Sequence, residues 1–92
     1  MAYINIELTT GEKSSHEITP AIEYAFEEQF SDGFYKRFRE KEKQSDVYWL
    51  AWEAMRDAAA RGSGNAPKPF GREFIATLKA VSVDFEATRP NE

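Results

Sequence analysis

Between positions 47 and 60, apolar residues recur at the spacing of one helical face. Val47, Leu50, Ala51, Ala54, Met55, Ala58 and Ala59 fall three and four apart. Tyr48, Trp49 and Trp52 widen that stripe until only Glu53, Arg56 and Asp57 clearly require water. Ser45 is well placed as an N-cap, Asp46 suits the positive end of the helix dipole, and Arg61-Gly62 makes a natural stop. A helix apolar around most of its girth is buried among neighbours or covered by a partner. The pattern therefore predicts a central helix with Leu50 and Trp52 largely buried.

Upstream, the period changes. Ile4, Ile6 and Leu8 alternate with Tyr3, Asn5 and Glu7, as in a half-buried strand. Thr9 to Lys13 is turn chemistry around Gly11, and Ser14 to Ile18 can return as a second strand. An isolated hairpin is marginal in water, so its Ile/Leu face needs helices to lie against. Thr19-Pro20 starts a helix with Ile22, Ala25, Phe26 and Phe30 on one face and Glu23, Glu27 and Glu28 facing out. Ser31-Asp32-Gly33 interrupts it, and a shorter helix follows with Phe34, Tyr35 and Phe38. After the central helix, Gly62 to Pro67 reads as a connector. Pro69 opens a last helix with Phe70, Phe74, Leu78 and Val81 in phase, although Val81, Val83 and Phe85 alternate as an extended segment would. These elements predict a small α+β domain over residues 1–85, mostly α, with an N-terminal β-hairpin packed on a bundle of about four helices. Residues 86–92 read as a polar tail.

Composition and charge narrow the chemistry. The 92 residues include no cysteine, which removes disulfides and thiolate metal sites. No apolar run approaches a membrane span, and the amino terminus lacks the apolar core of a signal peptide. The formal charge is −4, yet Lys36 to Lys43 (KRFREKEK) holds five basic residues against two acidic ones. Such a run fits a docking surface or a solvated helix end. The interleaved Phe34, Tyr35 and Phe38 fit a core or a base-stacking platform, and the acidic total weighs against nucleic acid. His16 is the only histidine, so metal binding is not expected. The loop Gly62-Ser63-Gly64 lacks the lysine and preceding strand of a phosphate-binding loop. No nucleophile motif or positioned carboxylate pair is evident, and a non-enzymatic protein without cofactors is expected.

The order of elements carries a resemblance. A strand pair and a Thr-Pro helix start precede AIEYAFEEQF, a Phe-rich charged segment and VYWLAWEAMRDA. A Gly/Pro loop then leads to Pro69-Phe70 and the closing Val81-Ser82-Val83-Asp84-Phe85. Over residues 3 to 85 this resembles the tail assembly chaperones of long, non-contractile-tailed bacteriophages. The match is strongest in Tyr48 to Trp52 with Ala54 and Arg56.

The resemblance implies a protein that binds the tape measure protein and keeps it soluble while tail tube subunits polymerise around it. It would act in the host cytoplasm, be absent from the mature virion, and self-associate or join a longer form made by programmed frameshifting. Arg89-Pro90-Asn91 permits slippery codons of the kind C-CCA-AAC, which would make the tail a linker. Partner-binding candidates are Phe34, Tyr35, Lys36, Arg37, Phe38, Arg39, Tyr48 and Trp49, an apolar-aromatic patch rimmed by KRFREKEK. No nucleic acid, membrane or small-molecule partner is expected. A head–tail or tail connector that stays in the particle, and a small regulatory binding protein, are the other readings.

Overall fold

Alternation of Ile4 and Ile6 with Asn5 and Glu7 makes β1 (Tyr3–Leu8) the middle strand of a three-stranded antiparallel sheet. The computed structural model describes residues 2–41 and 43–85. β2 (Lys13–Glu17) returns through a turn in which Gly11 takes φ +96, a conformation that disfavours other residues. The third strand, β3 (Leu78–Asp84), pairs with the other side of β1. Ile4 stands between His16 and Val83, and Ile6 between Ser14 and Val81. That row faces the helices. Asn5, between Ser15 and Ser82, lies on the opposite, exposed face.

The helices are α1 (Pro20–Phe30), α2 (Phe34–Lys41), α3 (Gln44–Ala60) and α4 (Arg72–Ile75). α1 begins as Thr19-Pro20 predicts, the threonine hydroxyl accepting from the Ile22 amide at 3.4 Å. It ends at Ser31, whose φ of 54 lies in the left-handed region used to close helices. Ile4, Ile22, Phe26, Phe34, Leu50 and Ala51 pack into one core between sheet and helices.

The small α+β architecture with four helices agrees with the sequence reading, but the elements differ in three places. The hairpin is part of a larger sheet, because Leu78–Asp84 is a strand and not the end of a helix. α4 keeps only four residues of the helix expected from Pro69. The i, i+4 phase of Phe70, Phe74 and Leu78 loses to pairing with β1, which packs the partly buried Val81 and Val83 against the core and satisfies backbone groups of the strand.

The second difference is the start of α3. Lys43 is its N-cap, without a side-chain bond, and Ser45 lies inside the first turn. The third is rotational. Trp49 is the enclosed indole, 8% exposed, whereas Trp52 is only half-buried and donates its indole N–H to the Lys68 carbonyl at 2.9 Å. Leu50 is fully buried, as expected. Glu53, expected in water, is buried with Arg56 across both its oxygens at 2.9 and 2.7 Å. Asp46 is buried too, held by Arg37. An arginine within reach lets a carboxylate occupy the inward stripe. The polar tail at 86–92 and the slippery codons at 89–91 lie outside the described residues.

Candidate functional site

The eight candidate residues separate once folded. Phe34, Phe38 and Trp49 belong to the core, so a partner meeting the folded domain does not touch their faces. Their rings surround Phe26, with centroids 5.2, 5.1 and 6.0 Å from it. Spacing placed these aromatics on α2 and α3 correctly but could not say which side of each helix the core would claim.

Arg37 is also committed. Its guanidinium donates to Asp46 at 2.6 and 3.3 Å and lies 4.3 Å from the Phe30 ring centroid. The hydrogen bond to Asp46 raises the already high pKa of Arg37. The pair ties α2 to α3 and is not offered to a partner.

Tyr35, Lys36 and Arg39 remain exposed on α2. Tyr35 packs edge-on to Phe34 at 5.0 Å and lies 5.7 Å from Phe85, at the end of β3. Partial burial pushes its phenol above the ordinary 10.0, and the charge of Glu23 and a hydrogen bond to it add to the shift. Phe85 and Glu23 therefore complete a surface that the sequence reading assigned to α2 alone. The alternation of Val81, Val83 and Phe85 was the available signal for Phe85. Tyr24, 67% exposed on the neighbouring α1, also escaped notice. Tyr48 opens elsewhere, onto a cleft of about 420 Å³ that it shares with Gln44, Ile75 and Leu78.

α2 is placed by a tether to α1 besides its buried rings. Gly33 follows the left-handed Ser31, and the Glu27 carboxylate of α1 accepts the Phe34 amide at 2.9 Å. That carboxylate does the work of an N-cap from another helix.

A second region brings polar groups together. Between the hairpin tip and the 62–67 loop lies a cleft of about 470 Å³, with Met55, Ala58 and Phe74 in its lining. There the Ser14 hydroxyl is 3.1 Å from His16 Nε2. Partial burial, then the charge of Arg61, lowers the imidazole below its ordinary 6.5, with Asp57 opposing. Ser14 and His16 are same-face neighbours on β2, and a nucleophile–base pair also needs a third group holding the ring. Asp57, whose charge acts on the ring, is engaged by Arg61 at 2.7 Å. Among the described residues, no group of three or more His, Asp or Glu side chains is placed to hold a metal ion, and no helix is long and apolar enough to cross a membrane.

Set against known protein families, curated proteins and solved structures, the chain matches none of them.

Proposed function

We propose that this chain is a non-enzymatic tail assembly chaperone of long, non-contractile-tailed phages. It holds the tape measure protein in solution in the host cytoplasm while the tail tube forms, then leaves, so the mature virion lacks it. The residue resemblance over 3 to 85 motivates this reading. The observation that carries it is the surface around Tyr35, where an exposed ring continuous with Phe85 sits beside the exposed cations Lys36 and Arg39. Long amphipathic helices present apolar stripes flanked by charge, and an aromatic patch with a cationic rim matches the apolar stripe and the acidic flank of such a helix.

The docking face in this proposal is Tyr35, Lys36, Arg39 and Phe85. Phe34 and Phe38 lie against Phe85 beneath it, and Arg37 ties α2 to α3 through Asp46. A longer frameshifted form sharing this domain would deliver the same face with a further client-binding segment.

Co-expression with tape measure fragments tests the proposal. The wild-type chain is expected to keep the fragments in the supernatant, and a Tyr35→Ser, Lys36→Glu, Arg39→Glu variant to lose most of that effect while retaining its circular dichroism. Equal solubilisation by the variant removes this face from the function. Failure of the wild-type chain to solubilise any fragment removes the chaperone reading itself.

A further inference from the structure

The two edges of the sheet are unlike. β2 is short and polar (KSSHE), whereas β3 (LKAVSVD) is longer and carries Leu78, Val81 and Val83. Among the described residues β3 pairs with β1 alone, so its second edge meets no strand. Proteins commonly guard such an edge with a bulge, a proline or a lysine laid across it. Here the register irregularity and Lys79 both fall at the start of the strand. Lys79 moreover reaches back to Glu7 of β1, at 3.6 Å, instead of outward. From Ala80 to Val83 the strand has no proline, lysine or register irregularity among the described residues.

We infer that β3 pairs antiparallel with β3 of a second copy of this chain, joining two sheets into one of six strands, with Ser82 facing Ser82 across a twofold axis. A row of main-chain donors and acceptors selects an extended strand as its occupant. Three features select a second copy. In this register Val81 of each copy stands opposite Val83 of the other, both on the helix side, so the apolar row of β1 and β3 continues across the axis. Ala80 meets Asp84, and no like charges are opposed.

The helices also fit. α3 packs against both β1 and β3. Placed midway above strands about 4.8 Å apart, the two α3 copies would run about 10 Å from each other, close to the separation at which helices pack. Finally, the cleft lined by Gln44, Tyr48, Leu78 and Val81 opens beside this edge. Tyr48, half-buried in one copy, is the side chain that the second helix would cover. This pairing meets the Tyr35 face at Phe85 alone, just past the end of β3, and does not depend on the client reading.

Sedimentation equilibrium of the full chain tests it. The wild type is expected to show a reversible monomer–dimer equilibrium. Ser82 is exposed on the face away from the helices, so Ser82→Lys and Ser82→Asp should keep the circular dichroism spectrum of the monomer. Each places like charges across the axis and should weaken the dimer about fivefold. An equimolar mixture of the two variants should restore it. A wild type that stays monomeric at high concentration, a Ser82→Lys variant that dimerises as tightly as the wild type, or a mixture no tighter than its components would each overturn the pairing.

Discussion

Trp49 and Trp52 lie three residues apart on one helix and differ in nearly everything that sets their energetic weight. Trp49 is closed in by Phe26, Phe30 and Trp52, with centroids 5.5 to 6.0 Å away. Truncating it to alanine should cost about 3–5 kcal/mol, the usual range for removing a large core aromatic. Trp52 packs edge-on to Phe70, and its N–H caps the Lys68 carbonyl. Replacement by phenylalanine keeps most of the contact and loses the bond, so about 1 kcal/mol is expected. Urea denaturation of both variants checks the order, and a larger loss at Trp52 would contradict this rotation of α3. Periodicity identified the helix and its apolar surplus but exchanged the roles of these indoles. The cause is legible in Asp46 and Glu53. Glu53 was read as facing water and Asp46 as a first-turn acid at the helix dipole, and both lie inside because Arg56 reaches Glu53 and Arg37 reaches Asp46. Which arginine would reach which acid is a property of the fold, and no local spacing encodes it for Arg37, nine residues from its partner.

At the scale of elements, short-range signals performed well and long-range ones did not. Thr19-Pro20, the break at Ser31 to Gly33 and the β1 alternation each depend on neighbours in sequence, and each appears where expected. β3 depends on β1, more than seventy positions away in the register Tyr3 to Asp84. Its helical phase and its alternation competed on equal terms until that partner was known. The start of α2 shows the same dependence. Its first amide is held by Glu27, which a helical reading leaves as an outward carboxylate. Glu27→Ala should therefore lower stability by about 1 kcal/mol, the typical worth of a capping interaction. The loss should be accompanied by faster amide exchange in α2 alone, measured by NMR. Uniform loosening of the whole domain, or no change, would show that the tether does not hold the helix start.

For the whole molecule, the folded chain is more economical with its aromatic side chains than its composition suggests. Most of the apparent excess is consumed by one aromatic cluster around Phe26, and among the described residues the large hydrophobic side chains left exposed are Tyr24, Tyr35 and Phe70. The partner surface suggested by the sequence contracts accordingly, from a stretch of α2 and α3 to the outer side of α2 with the end of β3. Its cations are Lys36 and Arg39, because Arg37 is internal. The functional proposal makes this cationic, aromatic face the side that meets an amphipathic client, and that is its central claim. Hydrogen exchange of the chain, free and bound to a tape measure fragment, tests it most directly. Binding at the proposed face should slow exchange across Phe34–Lys41 and at Phe85 while leaving β2 unchanged. A bound fragment that protects only β2 or the 62–67 loop would contradict the claim.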